Sequence, residues 1–288
     1  MKPPAFEYLR PESVDEALAQ LASRGGDAKI LAGGQSLVPM LNFRLLTPSA
    51  LVDIGRLPGL DAIEPTQRGV RIGALARHRA IETSPVVAEH LPILAAAARW
   101  IGHLAIRNRG TFGGSLAHAD PAAEWPLLCT LLDAQIHTRG AAGARALPAR
   151  EFCVSTMATA LEDAELVTAI EIPALAPGAG WGFEEFARRR GDFAIASAAV
   201  VLRRDGARVR DAKVALGGVG LTALRAPEAE ALLDGASLDD ALLARVGEAA
   251  REASDPTSDL HASADFRRHL VDVLTRRAVR AAWSRAQH

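Results

Sequence analysis

Two short stretches of this chain pair glycines with hydroxyl side chains: Ala32-Gly33-Gly34-Gln35-Ser36-Leu37 and Thr111-Phe112-Gly113-Gly114-Ser115-Leu116. Glycine reaches positive φ without strain, and with no Cβ it lets an anion approach the backbone N–H groups. Two such loops can clamp a diphosphate from both sides, with Ser36, Thr111 and Ser115 adding hydroxyl donors. Either pair taken alone also reads as an ordinary tight turn. Neither matches GxGxxG or the GxxxxGK pattern, so a Rossmann or P-loop phosphate site finds no support.

Behind the second pair comes Ala117-His118-Ala119-Asp120-Pro121-Ala122-Ala123-Glu124-Trp125. Asp120 and Glu124 are four apart, so both carboxylates can sit on the first turn of a helix beginning near Pro121. There they can accept hydrogen bonds from ribose or ribityl hydroxyls. The same placement equally suits helix N-terminal capping. His118 has no nucleophile motif or partner nearby and reads as structural.

The elements that must position these residues follow from periodicity. Ser13 with Glu16 forms a capping box ahead of Val14, Leu18 and Leu21 on one helical face. Extended runs follow at 29–31, 51–54 and 70–75. A helical pattern runs from Ser84-Pro85 through Leu91, Leu94, Ala98 and Ile101, and another from near Pro121 through Trp125, Leu128, Leu131 and Leu132. Strands are expected at 135–138 and 166–172. The Pro/Gly/Ala-rich stretch 173–180 reads as a linker. Beyond it, Ala196–Arg203 and Ala207–Leu216 flank Asp205-Gly206, a hairpin signal, and helices over 239–253 and 264–286 close the chain. The class is α+β, with two or three domains.

The 288 residues suffice for about two average domains, and 49% of them are hydrophobic, as for an ordinary packed core. With 33 basic against 34 acidic residues the net charge is −1, which gives no basic surface for nucleic acid. All cations but Lys2, Lys29 and Lys213 are arginine, a bias that reads as a GC-rich bacterial genome. No hydrophobic signal region follows Met1, and no apolar run is long enough to insert in a membrane. Cys129 and Cys153 lack CxxC spacing and cannot hold a cluster or zinc ion by themselves. They read as buried thiols of a reduced compartment, so a cytoplasmic protein is expected.

Five ordered segments carry a family resemblance: AGGQSL (32–37), RNRGTFGGSLAHADPAAEWP (107–126), ELVTAIEIP (165–173), RRRGDFAIASAAV (188–200) and LGGVGLTALRAPEAEALLDG (216–235). Together they resemble the FAD-binding medium subunit of molybdenum hydroxylases, the carbon monoxide dehydrogenase, xanthine dehydrogenase and quinoline oxidoreductase group. The resemblance implies a two-part FAD-binding domain of the vanillyl-alcohol-oxidase-like (PCMH) type over 1–177, with subdomains 1–57 and 58–177. A C-terminal domain over 178–288, an antiparallel sheet with helices, would cover the flavin edge.

Carried over residue by residue, the resemblance assigns Ala32, Gly33, Gly34, Gln35, Ser36 and Leu37 to one side of the pyrophosphate. Thr111, Phe112, Gly113, Gly114 and Ser115 take the other, with the Gly114 N–H against the anion at positive φ. Glu124 stands where the family commonly has an aspartate facing ribityl or ribose hydroxyls, with Asp120 beside it. Ile101, Leu166, Asp192 and Phe193 would face the isoalloxazine ring, Phe193 as a gate. Ser115 departs from a frequent asparagine and Gln35 from a histidine of some members, and both leave FAD binding intact. Glu184 or Glu185 falls near a lysine that some members place by the flavin, a departure that bears on the electron acceptor.

The implied role is electron relay from a [2Fe-2S] small subunit to an external acceptor. The organic substrate would be handled by a molybdopterin large subunit, in a dimer of heterotrimers. Two alternatives remain at this point: a self-sufficient FAD-dependent oxidoreductase on the same fold, and a scaffold that has lost its flavin.

Overall fold

A computed structural model describes residues 2–287. Five elements build the N-terminal part: β1 (Glu7–Leu9), α1 (Val14–Ala22), β2 (Ala28–Leu31), α2 (Leu37–Asn42) and β3 (Ala50–Asp53). The strands form a parallel sheet in the order β1-β3-β2. Ser13 caps α1 as its spacing with Glu16 predicts, its Oγ accepting the Glu16 N–H at 3.1 Å. Ala17, Leu18 and Leu21 then bury one face of α1 in a core shared with Val52 and Ile54, the outcome expected of a short amphipathic helix.

The middle part contains β4 (Ile63–Pro65), β5 (Gly69–Gly73), α3 (His78–Thr83), α4 (Pro85–His90), α5 (Pro92–Ala97), α6 (Leu104–Arg107), α7 (Phe112–His118) and α8 (Glu124–Leu131). It continues with β6 (Gln135–Gly140), β7 (Gly143–Pro148), α9 (Ala149–Phe152), β8 (Cys153–Ser155), β9 (Ala158–Thr159) and β10 (Glu165–Pro173). An antiparallel sheet runs β4-β5-β10-β6-β7. The expected continuous helix from 85 toward 101 is instead two short helices and an irregular stretch carrying Ile101. Pro92 has no N–H to donate, so the chain breaks at Leu91 and restarts with the proline in its first turn. The helix expected near Pro121 begins at Glu124, because Asp120 first folds into a turn and its Oδ1 accepts the Ala122 N–H at 2.8 Å.

The remainder comprises β11 (Gly180–Phe186), β12 (Ala196–Asp205), β13 (Arg208–Gly217), β14 (Leu224–Arg225), α10 (Pro227–Leu233), α11 (Asp240–Ala253) and α12 (Ala264–Arg285). Its sheet is antiparallel in the order β11-β12-β13-β14, and the Asp205-Gly206 hairpin forms where the dipeptide places it. The expected linker 173–180 is shorter than its composition suggests, since β11 already starts at Gly180. β12 is buried on both faces: Ala198, Val200 and Leu202 meet the helices, while Ala199 and Val201 join the core of the middle part. That shared core fixes the last sheet against the α7–α8 region and so sets one wall of the site below. No helix among the described residues is long and apolar enough to cross a membrane.

Candidate functional site

β2 runs directly into Ala32–Leu37. The chain turns at Gly34, whose φ is +72°, and enters α2 at Leu37. The N–H groups of Gly34, Gln35 and Ser36 find no partner among the described residues, and the Ser36 hydroxyl caps nothing. These are donors aimed at space, as an anion cradle requires. Gly33 lies against the second glycine region: a Cβ there would stand 2.5 Å from the Arg109 carbonyl oxygen and 2.8 Å from Gly110 Cα.

The second stretch corrects an expectation. Residues 111–115 are not a loop but the N-cap and first turn of α7, and neither Gly113 nor Gly114 has positive φ. Their backbone donors are already used. Phe112 N–H bonds Ala76 O at 3.0 Å, Gly113 N–H bonds Ala74 O at 2.8 Å, and Ser115 N–H bonds Thr111 O at 3.1 Å. The Gly114 N–H, expected against the pyrophosphate, donates to Thr111 Oγ1 at 3.2 Å. This side therefore offers the cleft hydroxyls, Thr111 and Ser115, more than backbone N–H groups. The helical phase also turns Phe112 inward. Its fully buried ring packs edge-on against Trp125 at 4.9 Å between centroids, so it supports the wall and does not line it.

Between the two stretches lies a cleft of about 600 Å³, within the range of cofactor sites. Of the residues assigned to the cofactor in the sequence, all but Phe112 line it: Ala32–Leu37, Ile101, Thr111, Gly113, Gly114, Ser115, Asp120, Glu124, Leu166, Asp192 and Phe193. Ile101 and the 191–193 loop come together because Gly191 packs on the Gly102 backbone. Phe193 is 64% exposed at the mouth, open to an incoming ring.

Some lining residues escaped sequence reasoning, among them Lys29, Ile106, Met157 and Leu161, and His118, read as structural, stands on the wall too. His78 is the most constrained of those missed. Its Nδ1 accepts the Trp125 indole N–H at 2.9 Å, so its proton sits on Nε2, and burial near Arg77 and Arg107 lowers its pKa to about 4. It is a neutral wall residue. Only its distance from Trp125 in sequence hid it.

Glu124 is raised to about 7 by burial, with the Asp120 charge adding to the effect. Glu184 and Glu185 do not line the cleft. Glu184 feels the charges of Arg277 and Arg285, whereas Glu185 is buried in the last sheet, and burial, with a smaller contribution from the Glu124 charge, pushes it up to about 9. The expectation of a carboxylate directly beside a flavin ring at 184 or 185 is thereby corrected.

The model of the FAD binding domain in molybdopterin dehydrogenase matches residues 4–175, and that of the CO dehydrogenase flavoprotein C-terminal domain matches residues 181–282. The chain belongs to this family. It is 44% identical over 288 residues to the 6-hydroxypseudooxynicotine dehydrogenase complex subunit alpha of Paenarthrobacter nicotinovorans, covering 100% of this chain and 97% of the relative. The carbon monoxide dehydrogenase medium chain of Hydrogenophaga pseudoflava is 40% identical over 285 residues, 99% of each chain. Among solved structures, carbon monoxide dehydrogenase from the same organism superposes with a TM-score of 0.97 at 41% identity, covering 100% of both chains. Quinoline 2-oxidoreductase from Pseudomonas putida 86 gives 0.95 at 41%, with 99% of each covered.

This molybdopterin-dehydrogenase flavoprotein is thus an oxidoreductase component, and its cofactor is FAD. The residues fit that group. A turn with open N–H donors and two hydroxyls suits a diphosphate. A wall of Ile101, Ile106, Leu161 and Leu166 suits a flat apolar ring.

Proposed function

We propose that the chain is the FAD-carrying electron-transfer subunit of a molybdenum hydroxylase complex, with a [2Fe-2S] small subunit and a molybdopterin large subunit in a dimer of heterotrimers. Bound FAD supplies storage for two electrons, received singly from an iron–sulfur partner and passed to an external acceptor. The chain's own residues bind and orient. Gly34, Gln35 and Ser36 would hold the diphosphate through backbone N–H groups and the Ser36 hydroxyl, with Thr111 and Ser115 opposite. Asp120 and Glu124 would hydrogen-bond the ribityl or ribose hydroxyls, and Ile101, Leu166, Asp192 and Phe193 would border the ring. FAD is held non-covalently, one per chain, in the cytoplasm.

The observation that carries this reading is the row of unpartnered N–H groups at Gly34–Ser36, facing a cleft of cofactor size. The relatives that share the whole chain length, each named as one subunit or chain of a larger enzyme, support the division of labour. Stopped-flow reduction of the flavin tests it. The chain alone should keep its flavin oxidised with organic substrates. With both partner subunits, bleaching should follow cluster reduction. Full-rate reduction in the lone chain would instead establish a self-sufficient oxidoreductase. Acid precipitation should leave FAD in the supernatant.

A further inference from the structure

Between α5 and α6 the chain turns at Gly102, whose φ is +52°, and both Ile101 and Gly102 line the cleft. The two carbonyls of this turn share one side chain. Arg107, at the end of α6, donates from a single guanidinium nitrogen to Ile101 O at 3.3 Å and to Gly102 O at 2.8 Å. Its Nε donates to Glu82 Oε2 on α3 at 3.0 Å, and Glu82 Oε1 pairs with Arg79 at 3.0 Å. The Arg107 and Glu82 side chains are only 14% and 9% exposed, and neither belongs to the cleft lining. The guanidinium therefore grips the turn from behind.

A trans peptide is planar, so its N–H points opposite to its C=O. With the Ile101 carbonyl held by Arg107, the N–H of the same peptide, that of Gly102, is turned to the other side, where the cleft lies. This N–H has no hydrogen-bond partner among the described residues. Two contacts from the last part of the chain keep the turn in that pose. Arg190 lies over the Trp100 ring at 5.5 Å. Gly191 packs so closely on Gly102 that a Cβ there would stand 2.8 Å from the Gly102 carbonyl oxygen.

We propose that Arg107 is a positioning residue: by holding the Ile101 and Gly102 carbonyls, it presents the Gly102 N–H as a hydrogen-bond donor to the heteroatom edge of the flavin ring. The inference rests on the FAD reading above, which places the ring beside Ile101. A donor bound to that edge stabilises the electron density that reduction adds, so the turn favours the reduced cofactor and raises its potential. Arginine suits the task because its planar fork satisfies the buried Glu82 and both carbonyls at once. A side chain without that fork leaves the turn free to rotate its peptide and withdraw the donor.

The test starts with the native chain, whose sequence holds Ile-Gly pairs only at 54–55, 72–73 and 101–102. Labelling isoleucine carbonyls with 13C and glycine nitrogens with 15N therefore isolates three amide signals. Gly55 and Gly73 already donate, to Asp53 Oδ1 and Ala62 O, both at 2.8 Å. The Gly102 signal is the one missing from Ile101→Leu. When FAD rebinds to the flavin-free chain, that signal should move downfield and its hydrogen exchange should slow. Glu82→Gln keeps an acceptor for Arg107 and removes the buried charge, so the shift should persist in it. Adding Arg107→Met to that background should abolish the shift, weaken FAD by up to about tenfold, the worth of one hydrogen bond, and make the flavin potential more negative. The native measurement decides even where the double variant does not fold. A Gly102 amide that stays in place when the native chain binds FAD, or a shift that survives in the double variant, would overturn the inference and leave FAD binding intact. A native chain that took up no FAD would overturn the cofactor reading itself, and this inference with it.

Discussion

The two glycine pairs look alike in sequence and do opposite work in the fold. Gly33-Gly34 forms a true turn. Gly34 takes positive φ and Gly33 touches the Arg109–Gly110 backbone, leaving three N–H groups open to the cleft. Gly113-Gly114 is helical, and its donors are consumed by Ala74 and Thr111. Glycine is needed there for proximity alone, since a Cβ on Gly113 would stand 2.6 Å from Ala74 Cβ and 2.9 Å from its backbone. A glycine pair thus announces a close approach. Whether its backbone is free to bind depends on the conformation around it.

The comparison breaks hardest at Gly113. Gly113→Val would force a branched side chain into the Ala74 backbone beside the buried Phe112 and Leu116. Overpacking of this kind costs about 3 kcal/mol where backbone has to move. Chemical denaturation should show that loss in the flavin-free chain. Equal stability of variant and parent would mean α7 can slide, and the contrast drawn here would be wrong.

Gly33→Ala should act differently. The new Cβ meets Arg109 O and Gly110 Cα, pushing apart the two segments that frame the cleft. The expected outcome is a chain that folds, destabilised by about 1–2 kcal/mol, but purifies with a minor fraction of the parent's 450 nm absorbance per chain. Full flavin content would show that the contact between the segments is not needed for binding.

Most of the cleft was readable in the sequence because its lining clusters in a few short segments with marked chemistry. Phe112 was misassigned because a Thr-Phe-Gly-Gly run reads as a loop, and only the helical phase set by the Thr111 cap shows which side chain turns inward. His78 was hidden for another reason. Its role comes from a partner far away in the chain, Trp125, and no local spacing records such a pairing. In the fold, the α1 cap and the β12–β13 hairpin follow from local rules. The break at Leu91 was missed because apolar spacing suggests one continuous helix, although Pro92 forbids it.

Gly34→Ala probes the turn itself. A non-glycine residue in the left-handed region costs about 1–2 kcal/mol, while the nearest side chains, Leu31 and Val38 at 3.2 Å, can give way. Asparagine tolerates that region better, so Gly34→Asn should recover part of both stability and FAD affinity. Identical losses for alanine and asparagine would show that steric contact, not φ, sets the requirement.

The smallest effect is expected at Gly114, where the two pairs should differ most clearly in kind. Gly114 is helical, so alanine gains about 0.5–1 kcal/mol from backbone entropy. Against this, its Cβ would lie 2.6 Å from Thr111 Oγ1, the hydroxyl that caps the helix, and Ala32 Cβ is no nearer than 3.9 Å. Losing a threonine cap costs about 1 kcal/mol, so Gly114→Ala should be close to neutral and should retain FAD. A double-mutant cycle isolates the cause. Thr111→Ala alone should destabilise by the value of the cap, and in that background Gly114→Ala should become stabilising because the obstacle is gone. Folding free energies of the four flavin-free chains give the coupling directly. If Gly114→Ala has the same effect with and without the Thr111 hydroxyl, that hydroxyl is not what excludes a side chain at 114. The glycine would then have to be explained by the cofactor.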